Sequence, residues 1–390
     1  MLYSKPVPVS DFEGYRGLAE GLMVHHQLGY PQPTAYRLPG YPFLLAIFMT
    51  VNRSVPWLSL VNIFLSTALI YMVYAIAWRL TGNVKVAQAA ALVCALNPSF
   101  IFFAPLLASE HLFVLLVFSG LFVLMSPKIG SAWRAALSGL LIGLGILTRG
   151  EALFYLPVYL GASVFYMTGN PKKYWQPLIL ISTCFLTVIP WYLRNQYTVG
   201  PGAGLSTSAG LMIYYAHHDQ QTDWDTLQEE NLQGLNEIES SQRGYQLAYE
   251  YFRDFDLSRI ATDVVISSLK LYAPNGYAVL WSIRIPRSSP TGPYPEKILP
   301  GRSLFILLTV IGYIFIALLA LASLIFYKKY PQKMWGILLG IIAMNWVCYA
   351  IFFTSTPRYR YTAEVVFCIL AGVTMVEITQ RKRGVSDAWA

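Results

Sequence analysis

The chain has 390 residues, 55% of them hydrophobic and only 12% charged, where ordinary soluble domains carry about 25% charged residues. With a mean hydropathy of +0.47, this excludes an ordinary soluble domain and indicates a polytopic membrane protein, with the abundant tyrosines suited to membrane interfaces. The net charge of +8 is not gathered into basic tracts interleaved with stacking aromatics, which argues against a nucleic-acid partner and assigns the charge to cytoplasmic loops.

In chain order, "SDFEGYRGLAEGL" (Ser10 to Leu22) reads as a short amphipathic helix. Ser10 with Glu13 fits a capping box, and Phe12, Tyr15, Ala19 and Leu22 recur at helical spacing. "LPGYPFLLAIFMTV" (Leu38 to Val51) is too short to span and is expected to be interfacial or re-entrant. Nine apolar stretches follow as expected membrane helices: Trp57–Trp78, Val86–Pro105, His111–Met125, Trp133–Leu147, Ala152–Met167, Trp175–Leu193, Ser303–Tyr327, Met334–Phe353 and Thr362–Ile378. The expected fold is therefore all-α, with an N-terminal membrane module of six spans (1–193, its first outer loop being 1–55). A large loop (194–301) with short amphipathic helices follows, then a C-terminal membrane module of three spans with a basic tail (302–390).

Basic residues fix the orientation because they resist translocation. Arg79 and Lys85, Lys128 and Arg134, Lys172 and Lys173, Lys328, Lys329 and Lys333, and Arg381 to Arg383 fall at every second loop. These are expected inside. The N-terminal segment, the turns at Glu110 and Arg149, the 194–301 loop and the Pro357–Tyr361 turn are expected outside. The four cysteines, Cys94, Cys184, Cys348 and Cys368, lie in apolar runs and read as buried hydrophobes rather than disulfides or metal ligands. The N-terminus lacks the basic start and apolar core of a signal peptide.

The expected outer turns hold the polar groups. Asp11 and Glu13 suit a helix first turn, where the dipole favours acids. Glu110 and His111 sit in "PLLASEHLF", where two readings stand: Ser109 caps a helix with Glu110 in its first turn, or an ionisable residue at a membrane boundary marks function. Arg149 and Glu151 pair locally, and Arg194 anchors an interface beside Trp191. Arg37 precedes a Pro-Gly-Tyr-Pro turn, and Arg358 and Arg360 flank Tyr359 in "TPRYRYTAE". Two arginines outside run against the positive-inside tendency, and an anionic phosphate supplies a reason for them.

The ordered set "SDFEGYRGLAEGL…PTAYRLPGYPFLLA", "SEHLFVLLV", "LTRGEALFYLP", "PWYLRN", "STSAGLMIYYAHHD" and "PRYRYTAE" resembles the bacterial members of the GT-C class of integral-membrane glycosyltransferases. Within it, the chain is similar to the protein O-mannosyltransferase and lipid A aminoarabinose-transferase branch. The resemblance implies a polyprenyl-phosphate-linked sugar donor used on the outer face of the cytoplasmic membrane, and an acceptor hydroxyl on a lipid, glycan or protein. It implies an acid of the first outer loop as the catalytic residue, the position that Asp11 holds, with Glu13 beside it. The class also has a membrane helix ahead of this acid, and the first nine residues, "MLYSKPVPV", are too few to span a bilayer. The expectation is that the chain as given lacks its first membrane helix. A metal-binding DxD is absent, Asp11-Phe12-Glu13 being a near variant, so no metal and no other cofactor is expected.

Inverting transfer needs one base to take the acceptor proton, and positive charge where the lipid phosphate departs. Asp11 is expected as the base, with Glu110 orienting the acceptor or pairing with an arginine. Arg358 and Arg360 are expected on the phosphate, with Arg37, Arg149 and Arg194 behind them and Tyr359 lining the donor groove. A transporter or flippase for a lipid or anion is the alternative. It predicts charges near the midplane and inverted repeats, neither of which the sequence contains. An inactive, truncated class member is a third reading.

Overall fold

The computed structural model describes residues 11–166, 175–217, 231–253, 257–276, 279, 302–353 and 355–386, and among them there is no strand. The opening helix α1 (Asp11–His25) buries Phe12, Tyr15 and Ala19, the face that the helical spacing marks out. It packs on α2 (Gly40–Met49), the short apolar piece, and the ring of Tyr15 meets Tyr41 edge-on at 5.1 Å. The proposed capping serine, Ser10, lies outside the described residues, and so does the side chain of Asp11.

Six helical stretches among the described residues are long and apolar enough to cross a membrane: Val55–Thr81, Ser131–Thr148, Trp175–Thr198, Ser303–Lys329, Gln332–Phe352 and Pro357–Arg381. Here α3 is Val55–Thr81. Three of the nine expected spans differ. The expected 86–105 span breaks into α4 (Val84–Leu96) and α5 (Pro98–Phe103). Asn97 precedes a proline, which disfavours helical backbone, and its ψ of 114° lets its side chain cap Ser99 N at 3.0 Å. The third span is α6 (Glu110–Leu124), 15 residues long and ended just ahead of the Ser126-Pro127 pair. The fifth is a 3₁₀ turn (Gly150–Tyr155) followed by the 11-residue α8 (Leu156–Tyr166). Pro157 is tolerated in a first turn but cannot continue one helix into the next.

Helix α7 (Ser131–Thr148) and helix α9 (Trp175–Thr198) approach through glycines. A β-carbon on Gly143 would stand 2.8 Å from Thr187 Cβ and 2.9 Å from the Cys184 carbonyl, and one on Gly139 would overlap Thr183 and the Leu180 carbonyl. Without a hydrophobic force between helices in lipid, such close backbone packing is a main source of association. In the large loop, α10 (Ala209–His217) and α11 (Glu237–Arg253) meet the same way, Gly244 lying on Leu211. Helix α12 (Leu257–Tyr272) leads back towards α13 (Arg302–Ala322). The α14 helix (Gln332–Trp346) runs into a π-helical turn (Val347–Phe352). After a 3₁₀ turn (Pro357–Arg360), α15 (Tyr361–Ser386) passes through the centre, with Val365, Val366, Cys368, Ile369 and Ala371 wholly buried. A helix apolar all round belongs in such a place. All four cysteines are free and buried.

The turns assigned to one side by charge do meet at one end, as the next section describes. Basic residues gather at the other. Arg79 reaches Ser126 at 3.4 Å, Lys333 lies 4.8 Å over the Tyr166 ring, Lys329 pairs with Glu377, and Arg381 lies 5.0 Å over Phe326. Lys172 and Lys173 lie outside the described residues, as do most of the acidic loop segment 217–233 and the Pro-rich 285–301 segment.

Candidate active site

A cavity of about 150 Å³ opens where the N-terminal loop, the end of α7, the start of α10 and the 347–359 segment converge. Arg37, Arg149, Arg358, Tyr15, Tyr349 and Tyr359 line it. The rings of Tyr349 and Tyr359 stack at 4.8 Å, 2° from parallel. Tyr349 reaches this place because the π-helical turn shifts the register at the end of α14; such insertions are frequent at functional sites.

Beneath the cavity lies a buried ion cluster. Glu110 is 2% exposed and accepts from Arg149 at 2.9 Å and from Arg358. Arg149 also donates to Glu151 at 2.8 Å and to Ser109 at 3.3 Å, and Tyr349 donates its hydroxyl hydrogen to the same Glu151 oxygen at 3.0 Å. Burial opposes the Arg149 charge, but the carboxylates of Glu151 and Glu110 more than offset it, and its pKa lies above the ordinary arginine value. A planar guanidinium with five donors can serve two carboxylates and a hydroxyl at once, where lysine would not. The Arg358 guanidinium lies 5.3 Å from the ring centre of Phe12, the residue after Asp11.

The site residues expected from the sequence thus divide. Arg37, Arg149, Arg358 and Tyr359 line one cavity, and Glu110 bridges two of its arginines. Ser109 holds the helix-start position but makes no side-chain cap there; its hydroxyl meets Tyr15 at 3.2 Å and Arg149 instead. Glu13 is exposed, 3.9 Å from Arg16, and is absent from the cavity wall. Arg194 donates to the carbonyls of Thr34 at 2.8 Å and Leu28 at 3.3 Å, which clasps the N-terminal loop to α9. Arg360 points away from Arg358. It is 2% exposed, donates to Glu364 at 2.5 Å and to the Ala273 carbonyl, and covers the Tyr313 ring at 3.6 Å. Glu364 in turn accepts from Asn97 at 3.2 Å. The first arginine of "RYR" serves the cavity, and the second ties the turn to α12, α13 and α5.

Sequence reasoning marked Tyr15 only as part of an apolar helix face and did not single out Tyr36, Tyr349, Ser206 or Ser208; all five also line the cavity. The two serines stand inside "STSAGLMIYYAHHD", a motif already noted, whereas Tyr349 is one of 27 tyrosines with nothing local to mark it. Among the described residues, no three His, Cys, Asp or Glu side chains are grouped to hold a metal; the Asp11 side chain lies outside that set.

No protein-family model matches the chain, and no curated protein sequence matches it. Among solved structures, the chain is similar to the archaeal oligosaccharyltransferase AglB from Archaeoglobus fulgidus, in complex with an inhibitory peptide and a dolichol-phosphate. The TM-score is 0.55 at 16% identity, covering 99% of this chain and 49% of AglB, so the chain spans about half the length of that protein. ArnT from Cupriavidus metallidurans bound to undecaprenyl phosphate matches at TM-score 0.44 and 10% identity, over 95% of this chain and 74% of its own. ArnT in the apo state matches at 0.44 and 11%, over 94% and 73%. The likeness to AglB shows a shared fold.

Proposed function

We propose that the chain is a glycosyltransferase that moves a sugar from a polyprenyl-phosphate-linked donor to an acceptor hydroxyl, on the outer face of the cytoplasmic membrane. The observation that carries this reading is the cavity itself: three arginines, Arg37, Arg149 and Arg358, against the two carboxylates Glu110 and Glu151 among the described side chains. A cavity with three arginines on its wall at the end of a membrane bundle suits a lipid phosphate whose tail stays in the bilayer. The dolichol-phosphate held by AglB is a ligand of that chemistry.

In this reading Asp11 is the base. It takes the proton from the acceptor hydroxyl as that oxygen attacks the anomeric carbon from the face opposite the phosphate. The carbon–oxygen bond to phosphate breaks, the configuration inverts, and the polyprenyl phosphate leaves with the bond's electron pair. Arg358 and Arg37 stabilise the charge that grows on the phosphate, where preorganised donors act most strongly. Glu110 holds Arg358 and Arg149 in place, and Tyr359 with Tyr349 forms a flat wall for the sugar.

Sugar release from polyprenyl-phosphate donors in washed membranes tests the reading. Asp11→Asn keeps size and helix-start compatibility and is expected to lower transfer about a hundredfold or more at unchanged protein level. A fully active Asp11→Asn variant removes Asp11 from the base role. A wild-type chain that releases sugar from no such donor removes the reading altogether.

A further inference from the structure

At the opposite end of the molecule, a second cavity of about 350 Å³ lies between the Ser323–Lys329 turn and the last turns of α15. Lys328, Lys329 and Arg381 line it, with one carboxylate, Glu377. Glu377 is already engaged by Lys329 at 2.5 Å and by the Tyr330 hydroxyl at 2.8 Å. Three cations against one carboxylate leave two positive charges. The rim is apolar: Ile325 lines the same cavity and is 73% exposed.

Ile325 is also the last member of an exposed stripe. Leu307, Ile311, Ile314, Leu318, Leu321 and Ile325 are all exposed and follow each other by alternate steps of four and three, so they lie on one face of the helix. The Ser303–Lys329 stretch is both the most apolar and the least buried of the six candidate spans, with only 22% of its most hydrophobic window buried. An acyl chain covers half of a hydrocarbon core about 30 Å thick, which at 1.5 Å per residue is about ten helical residues. The stripe from Ile314 to Ile325 supplies that length and ends at the cations.

We propose that this cavity binds the phosphate headgroup of an anionic glycerophospholipid, with one acyl chain lying along the Leu318–Ile325 face. Basic pockets between membrane helices recognise lipid headgroups in this way. The site is separate from the donor cavity and independent of the reaction assigned to it.

Native mass spectrometry of the full chain in neutral detergent tests the proposal, with phosphatidylglycerol titrated against phosphatidylcholine of the same acyl chains. Phosphatidylglycerol is expected to be retained about tenfold or more in preference. Lys328→Ala/Arg381→Ala is expected to weaken it by about 30-fold, which is ~1 kcal/mol for each cation removed at 1.4 kcal/mol per tenfold. Both side chains are exposed, and Lys328→Glu alone, which shifts the local charge by the same two units at a single exposed position, is expected to give a loss in the same direction. Equal retention of the two lipids, or unchanged retention by both variants, overturns the proposal. Displacement of bound phosphatidylglycerol by inorganic phosphate assigns the site to a free anion and overturns the lipid. A dimer that forms through the apolar stripe with no lipid bound overturns it as well.

Discussion

Replacing Glu110 by glutamine isolates the charge at the centre of the ion cluster. The side chain is 3% exposed, that of Arg358 5% and that of Arg149 10%, so the interaction is not screened by solvent as a surface pair would be. One carboxylate oxygen, Oε1, accepts from both arginines, and the other, Oε2, is buried without a hydrogen-bond partner. Glutamine can therefore keep its oxygen on the two guanidinium groups and put its amide nitrogen where Oε2 stands, with little steric change. What is lost is the charge. Hydrogen bonds to charged groups contribute about 1 kcal/mol more than neutral ones, so two bonds give about 2 kcal/mol. Arg149 then keeps Glu151 as its carboxylate partner, and Arg358 loses the charge it meets on Glu110. Removing one member of a buried pair costs about 3–5 kcal/mol in full, so Glu110→Gln is expected to cost about 2–4 kcal/mol. Denaturant unfolding of the purified chain in detergent, followed by tryptophan fluorescence, measures it. A double-mutant cycle with Arg149→Gln should return a coupling of about 1 kcal/mol or more. A Glu110→Gln variant within about 0.5 kcal/mol of wild type, the range of neutral surface changes, refutes the account of Glu110 as the clamp between the two arginines.

The two arginines of "RYR" should separate by phenotype. Arg358→Ala is expected to raise the apparent donor KM in the membrane transfer assay with Arg358→Lys restoring only part, since lysine offers no fork, whereas Arg360→Ala is expected to lower stability by about 3 kcal/mol, as a broken buried pair does; equal donor effects from both would contradict the division seen here. Gly139→Ala places a methyl group against Thr183 and the Leu180 carbonyl and should destabilise by about 1–3 kcal/mol through overpacking; a neutral result in thermal unfolding would show that α7 and α9 can part at no cost. Impermeant thiol labelling fixes the orientation: Glu230→Cys should label in intact cells and Ser386→Cys only after permeabilisation, and the reverse would put the donor cavity on the inner side.

Much of the architecture is legible along the chain. An apolar stretch of 20 residues must be a helix in lipid, because each backbone amide needs an internal partner, and so the long helices follow from composition alone. The face of α1 carrying Phe12, Tyr15 and Ala19, and the burial of the four cysteines, follow from periodicity and polarity in the same way. The alternation of basic loops sorts the turns into two groups, and the described ends do gather into those groups. The broken stretches were less legible: Asn97-Pro98 and Leu156-Pro157 interrupt runs that hydropathy alone joins, because an apolar average is insensitive to one missing amide. The site was legible as a set of charged turns but not as an arrangement. Arg358 and Arg360 are two residues apart in one turn and look alike in sequence, yet one faces the cavity and the other is sealed against Glu364 and Tyr313. Tyr349 comes to the cavity through a π-helical turn that no local pattern announces. Local sequence governs what each segment can be, because backbone hydrogen bonds and hydropathy act over a few residues. Which side chains share a carboxylate is decided only by packing, since Glu110, Arg149 and Arg358 are brought together from three helix ends far apart in the chain, and burying one charge there is tolerable only when the others arrive with it.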